Sequence, residues 1–413
     1  MNPYLLGFRC LSCGELHAPD AVTYTCPEDG GNLDAVYDYV RIGREVAPTD
    51  LTQAPSRSIW RFGPLLPSPA PSGLPTPLTM LGNTPLYRAP RIEEALDVRA
   101  VWLKDDSRLP SSSFKDRASA MVVAQALATG REAICVASTG NAAGALAAMC
   151  AGTKLRAIVF VPEGTPEGKL AGILIHGATV YVVRGSYNDA VRIAGEACKK
   201  FGWYNRSTGT NPYTREGKKT AGFEIAEQLA HWTAERGFRA PDSVIVPLGD
   251  GNILSGVHKG FRELQQIGWI ERMPRFIGVT AKLAPSLART FTSVSETFDE
   301  IPSTTIASGI SVDVPCDGVA ALRAIRSSGG TVIEASDEDM LAAMSTLARD
   351  GGVFVEPACA AAYVGLVEAR RAGFLRSSDE VVLQLTGSGF KDVRSAVRAA
   401  PQPHTITSLD DIQ

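Results

Sequence analysis

Lys115 follows Ser111-Ser112-Ser113-Phe114 and precedes Asp116-Arg117, so an amine sits behind small hydroxyl residues near a helix start. Further on, the apolar run Ala133 to Ala137 breaks into Ser138-Thr139-Gly140-Asn141-Ala142-Ala143-Gly144. An amine so placed can condense with an aldehyde, and a Gly/Ser/Asn turn after a strand can anchor the aldehyde's carrier. The chemistry implied is carbanion chemistry through an imine, with the electron sink borrowed from a cofactor. Two more stretches share this build. Val244-Ile245-Val246-Pro247-Leu248 reads as a buried strand running into Gly249-Asp250-Gly251-Asn252-Ile253-Leu254-Ser255-Gly256, with helix-compatible residues from Val257 to Gln266. Strand, glycine turn and helix start offer unpaired N–H groups and a positive dipole end to a phosphate. The spacing fits neither the dinucleotide fingerprint nor the P-loop, because a third glycine is missing at the right offset and no Lys-Ser/Thr follows. Val381 to Leu385 is another buried strand, ending in Thr386-Gly387-Ser388-Gly389-Phe390-Lys391-Asp392.

In their order and spacing these four stretches resemble the fold-type II pyridoxal-phosphate enzymes, and among them the threonine synthase family. Gly82-Asn83-Thr84-Pro85-Leu86, Asn211-Pro212, Glu216-Gly217-Lys218-Lys219-Thr220 and Phe354-Val355-Glu356-Pro357-Ala358 extend the similarity over residues 80 to 395. The resemblance implies that Lys115, with Phe114 beside it, carries pyridoxal 5'-phosphate as a Schiff base. By the same resemblance Asn141 bonds the cofactor's ring oxygen, and Gly249, Asp250, Gly251, Asn252 and Ile253 cradle its phosphate. Thr386 would face the pyridine nitrogen, while Ser113, Ser138, Thr139 and Gly140 would bind substrate, the last three through its carboxylate. A hydroxyl such as Thr386 leaves the pyridine largely unprotonated, which weakens the sink and favours side-chain elimination over transamination. The freed Lys115 amine would then act as a mobile general base.

The implied activity is that of a lyase of the threonine synthase type, converting O-phosphohomoserine and water to threonine and phosphate. The alternatives on the same machinery are β-elimination, as in serine or threonine dehydratases, and β-replacement, as in cysteate synthase. A non-catalytic scaffold is a third class, opposed by the presence of Lys115, Asn141 and Thr386. Three positions depart from the family's usual contacts to the substrate phosphate: Ala142, Thr208 and Thr214. Charge-assisted bonds contribute about 1.5–3 kcal/mol each, so their absence calls for replacements. Arg215, Arg206, Lys169 and Lys218 are the candidates.

With 413 residues the chain is long enough for two domains and an appendage. A net charge of −3 gives no basic surface for nucleic acid or anionic membrane. No apolar stretch approaches a membrane span, and Met1 to Arg9 lacks the build of a signal peptide. Cys135, Cys150, Cys198, Cys316 and Cys359 lie in apolar contexts, as reduced thiols do, so the expected compartment is cytoplasmic. A homodimer is an expectation of the resemblance.

Three blocks follow along the chain. Residues 1–40 hold Cys10-Leu11-Ser12-Cys13 and Cys26-Pro27-Glu28-Asp29, and resemble the zinc-ribbon start of some threonine synthases, with Asp29 where a fourth cysteine is expected. Cys10, Cys13 and Cys26 with Asp29 or His17 could hold zinc, or the ribbon has lost its metal and persists as a packed knuckle. Residues 41–80 are dense in proline and read as an extended arm, lying on a surface or crossing to a partner, neither strand nor helix. From Leu81 strands alternate with helices, which predicts an α/β fold of two doubly wound, mostly parallel lobes.

Expected strands are Val101 to Leu103, Ala133 to Ala137, Leu155 to Val161, Val180 to Val183, Tyr204, Val244 to Leu248, Phe276 to Thr280, Thr331 to Glu334 and Val381 to Leu385. Expected helices are Ala118 to Leu127, Ala142 to Ala151, Gly168 to His176, Asn188 to Lys200, a long one from Glu216 to near Arg236, Asp337 to Ala348 and Cys359 to Arg371. The large cofactor-binding lobe takes residues 81–111 and 212–413, and the small mobile lobe residues 112–211. Asp116 and Arg117 read as a structural pair at a helix start, and Glu356-Pro357 as a turn whose backbone meets the cofactor edge. His176 and His258 have no carboxylate at metal spacing and read as surface or packing residues.

Overall fold

Short runs rich in Val and Ile become strands buried on both faces, and helices in between cover them. In the computed structural model, which describes residues 2–73, 75–293 and 295–408, these strands form two largely parallel sheets. The larger sheet has the spatial order Thr331–Ala335, Arg275–Ala281, Ser243–Pro247, Glu380–Leu385, Ala100–Asp105, Leu86–Arg88. Of these six, the edge strand Leu86–Arg88 alone runs antiparallel. The smaller sheet is parallel throughout, in the order Thr179–Val183, Arg156–Pro162, Ala133–Ala137, Tyr204–Asn205. Helix Pro357–Arg371 crosses one face of the large sheet, against Ser243–Pro247, Arg275–Ala281 and Glu380–Leu385. Lys115–Ala128 and Asn141–Cys150 pack on each other beside the small sheet.

Before these sheets comes a small antiparallel one, Leu16–His17, Leu5–Cys10, Leu33–Tyr37. It is docked on the body of the protein by the Phe8 and Tyr213 rings, 5.6 Å apart, and by the Tyr37 hydroxyl, which donates to Glu216 at 2.7 Å. The apolar core is continuous from this sheet through the connector to the small parallel sheet.

Two expectations need correction. The proline-rich arm is not free of helix: Tyr39–Glu45, Pro48–Thr52 and the 3-10 turn Ile59–Leu65 lie within it. Asp38 caps the first through the Arg41 N–H, Pro48 starts the second at its first turn, and proline at such positions favours a helix. Ile59, Trp60, Phe62, Leu65 and Leu66 are buried in the chain's own core, which fixes the segment there. The long helix expected from Glu216 is two, Tyr213–Lys218 and Thr220–Trp232, meeting at Lys219. It ends early because Ala234 takes a left-handed φ of 58°.

Candidate active site

Lys115 is the first residue of helix Lys115–Ala128, and the loop before it is stitched to the end of strand Glu380–Leu385. The Phe114 N–H donates to the Thr386 carbonyl at 2.9 Å, the Ser388 N–H to the Ser112 carbonyl at 3.1 Å, and Ser113 pairs with Gly387. Ser112 turns the loop with a φ of 58°, and Phe114 is fully buried beneath it. Lys115 is thereby held, half-buried, in a narrow cleft. Ser113, Asn141 and Thr386 line the same cleft, with Gly249, Asp250, Gly251 and Ile253 opposite. Among the described residues the Lys115 Nζ has no hydrogen-bond acceptor, and it remains available for a ligand.

The glycine turn is built for close approach. Gly251 has a φ of 89°, and a Cβ there would sit 2.6 Å from the Asp317 carbonyl oxygen. At Gly249 a Cβ would meet the Ile310 Cα at 2.8 Å. Only glycine satisfies both positions. Helix Asn252–Ile267 starts directly behind, so its free N–H groups and positive dipole end face the cleft. An unpartnered amine, a backbone anion cradle and a hydroxyl facing them fit a phosphorylated aldehyde cofactor.

Not every expected residue meets the cleft. Asn252 turns its side chain away, Nδ2 donating to Asp317 at 2.7 Å. Ser138, Thr139 and Gly140 form the turn between strand Ala133–Ala137 and helix Asn141–Cys150, half-exposed, and reach the cleft through Asn141. The Asn141 amide donates to Glu356 Oε1 at 2.8 Å. Glu356 was expected to act through its backbone, whereas its buried side chain lines the cleft. Burial raises its pKa, against the opposing pull of Lys391 and the Asn141 bond. Its sequence signal is a carboxylate set in the apolar run Phe354 to Ala358. Gly309 and Ile310 also line the cleft, and no motif or periodicity in the stretch around them flags them.

Asp116 and Arg117 do not pair with each other. Asp116 accepts from both the backbone and the hydroxyl of Ser111, and burial pushes its pKa up to about 7. Arg117 reaches Asp106 at 2.8 Å and Glu224 at 2.7 Å in a fully buried cluster with Lys104. His176 is exposed; His258 is buried edge-on to Phe276, and burial lowers its pKa to about 3, so it stays neutral.

The four candidates for a second anion contact separate cleanly. Arg215 is consumed by Asp34 and Asp317. Lys169 is half-buried and its charge acts on Glu356 and Lys391. Arg206 and Lys218 are both fully buried, and Arg206 Nη2 and Lys218 Nζ have no partner. Thr208 accepts from Arg206 at 3.1 Å, and Thr214 donates to the Asn211 carbonyl at 2.8 Å. In the N-terminal sheet, ligand atoms of Cys10, Cys13, Cys26 and Asp29 all lie within 4.8 Å of one another, and His17 Nε2 is 3.2 Å from Cys26 Sγ.

Comparison with known proteins agrees with this geometry. The family model described as pyridoxal-phosphate dependent enzyme matches residues 78–387. Threonine synthase of Methanosarcina acetivorans is 34% identical over 409 residues, covering 98% of this chain and 96% of that protein. Threonine synthase of Methanocaldococcus jannaschii is 36% identical, covering 96% of each. The chain belongs to the threonine synthase family of pyridoxal-phosphate-dependent enzymes. Among solved structures, the processed form of threonine deaminase isoform 2 from Solanum lycopersicum superposes with a TM-score of 0.62 at 20% identity, covering 77% of this chain and 83% of that one. O-ureido-L-serine synthase gives 0.63 at 21% identity, over 78% and 93%. These likenesses show the fold, which is fold-type II. The protein is thus a pyridoxal-phosphate-dependent lyase of the threonine synthase type, and no described helix is long and apolar enough to cross a membrane.

Proposed function

We propose that this threonine synthase family member converts O-phosphohomoserine and water to threonine and phosphate, with Lys115 as its catalytic residue. The observation that carries the reading is the convergence of Lys115, Asn141, the turn Gly249–Ile253 and Thr386, from four separate segments, on one cleft. Pyridoxal phosphate, bound there, supplies the sink for negative charge developing at the substrate α-carbon. Lys115 Nζ holds the cofactor and, once released, moves the α-proton. The N–H groups of the turn Gly249–Ile253 would hold its phosphate, and the Thr386 hydroxyl would serve as a neutral partner for its ring. Asn141, steadied by Glu356, presents its amide to the ring oxygen. Ser113 and the turn Ser138–Gly140 orient the substrate, the turn by binding its carboxylate on backbone N–H groups. Movement of the small lobe, residues 112–211, against the large one excludes water.

A second reading, β-elimination or β-replacement on another amino acid, is favoured by Ala142 and by the engagement of Thr208 and Thr214 in internal bonds. A substrate panel scored for threonine, phosphate, ammonia and keto acid separates the two. Threonine from O-phosphohomoserine supports the first; keto acid alone, with no threonine, removes it.

Two finer proposals accompany this. Zinc in the N-terminal sheet would be held by Cys10, Cys13, Cys26 and Asp29, a thiolate-rich set of tetrahedral size. The chain would work as a cytoplasmic homodimer, a placement supported by its eight free cysteines. Light scattering on the purified protein tests the dimer.

A further inference from the structure

Helix Gly318–Ser327 starts without the cap that its sequence offers. Asp317 stands at the position where a carboxylate ordinarily accepts from the N–H groups of the first turn, yet its side chain makes no such bond. The buried carboxylate is committed to other elements instead. Oδ2 accepts from Asn252 Nδ2 at 2.7 Å, from the Ser255 hydroxyl at 2.7 Å and from Arg215 Nε at 3.2 Å. Oδ1 accepts from Arg215 Nη2, and from Asn32 Nδ2 at 3.2 Å. A buried charge withdrawn from its own helix and given five donors from three other segments has a task away from that helix.

That task lies at the turn Gly249–Ile253. Asn252 and Ser255 belong to the first turn of helix Asn252–Ile267, and Asp317 grips both by their side chains. The Asp317 N–H donates to the Asp250 carbonyl at 2.8 Å, and its own carbonyl lies so close to Gly251 that a Cβ there would sit 2.6 Å away. One residue thus sets the turn through backbone and side chain together. Asp317 is itself held from the N-terminal sheet. Asn32 Nδ2 donates to the Cys316 carbonyl at 2.7 Å as well as to Asp317, and Arg323, further along helix Gly318–Ser327, donates to the Leu11 carbonyl at 2.5 Å. The Leu11 N–H donates to the Asn32 carbonyl at 2.9 Å, so both holds come from one piece of the sheet's loops.

From this geometry we infer that Asp317 is a positioning residue for the cofactor's phosphate, and that Asn32, by holding Asp317, makes the N-terminal sheet part of the cofactor site. The inference rests on the proposed reading of the turn Gly249–Ile253 as the phosphate cradle. Neither residue lines the cleft. Each acts through the place it gives to Gly251 and to the start of helix Asn252–Ile267, so its effect falls on the phosphate and spares the Lys115 end of the cleft.

The test uses the full-length chain freed of cofactor and titrated with pyridoxal 5'-phosphate or with pyridoxal, the same aldehyde without the phosphate, each followed by visible absorption. Lys115 serves both ligands, so the ratio of their dissociation constants reads the cradle alone. Asp317→Asn keeps the shape of the side chain but removes the charge that gathers Arg215, Asn252 and Ser255. It should cut the preference for the phosphate about tenfold or more. Asn32→Ala leaves Asp317 its other three partners and should cut the preference about fivefold. In both variants pyridoxal should bind within about twofold of its affinity for the wild type. A wild type with no preference for the phosphate would overturn the cradle reading, and the inference with it. A wild type that prefers the phosphate, with an unchanged ratio in Asp317→Asn, overturns the inference and leaves the cradle standing; an unchanged ratio in Asn32→Ala removes the N-terminal sheet from the site. Equal weakening of both ligands in the variants would make the two residues purely structural and is also a refutation. Should Asp317→Asn fail to fold, Asn32→Ala decides alone.

Discussion

Lys218 and Lys219 are consecutive, equally buried, and opposite in company. Lys219 Nζ donates to Glu216 at 2.6 Å and to Glu263 at 3.0 Å, and lies 4.2 Å from the centre of the Tyr37 ring. Around it Lys259 meets Asp34 at 2.7 Å and Glu216 at 2.6 Å, while Arg215 reaches Asp34 at 3.1 Å. Every charge in that group has an opposite neighbour, and through Asp34 and Tyr37 the group ties the N-terminal sheet to the body of the protein. Lys218, one residue earlier, has the cations Lys115 and Arg206 and the carboxylates Asp250 and Asp317 around it, but its Nζ has no hydrogen-bond partner. A buried network that closes on itself holds structure in place. One that is left open by a bare nitrogen costs stability unless something else closes it.

Breaking the comparison begins with Lys115, whose amine, like that of Lys218, has no internal acceptor. Lys115→Ala should lower threonine formation by about 10⁴-fold while leaving the melting temperature nearly unchanged. A retained turnover would remove Lys115 from the chemistry. Lys219→Met is the structural counterpart. It leaves Glu216 and Glu263 short of a counter-charge, and removing one partner of a buried pair costs about 3–5 kcal/mol. Denaturant midpoints measured on the holoenzyme would show it, and an unchanged midpoint would end the distinction between the two lysines. Zinc is a smaller lever on the same N-terminal sheet. Added to metal-free protein at about a hundredfold excess over Kd, it should stabilise by about 2.7 kcal/mol. Cys26→Ser should abolish the response; equal thermal shifts in both proteins would exclude the site.

What the sequence made legible were the local devices. A glycine turn after a strand is a short-range event, so the turn Gly249–Ile253 and the Lys115 loop could be placed before any fold was known. The same holds for the strand ends at Ala137 and Leu385, because burial on both faces leaves continuous apolar runs. Partner choice was not legible. Lys218 and Lys219 are the same residue type in the same motif, and Glu263, which tells them apart, lies 44 residues further along the chain. Gly309 and Ile310 reach the cleft from an irregular segment that carries no period. In the connector the burial of the apolar residues Ile59, Trp60, Phe62 and Leu65 outweighs the extended preference of the prolines around them.

The finest test of the contrast is the pH dependence of Lys218→Met. The folded-state pKa of Lys218 lies well below its ordinary value, through burial first and then through Lys115 and Arg206, with Asp250 and Asp317 opposing. The native state therefore binds fewer protons at this site than the unfolded chain, and stability at this site rises with pH. At neutral pH the wild type carries that penalty and the methionine variant does not, so the variant should melt at an equal or higher temperature. As pH climbs toward the unfolded lysine value of about 10.4, the penalty fades and the two melting temperatures should converge. Measured without substrate on both holoenzymes, a variant that melts lower at neutral pH, or a gap that widens with pH, would mean that Lys218 has an internal partner after all. Its bare ammonium would then be structural, as that of Lys219 is.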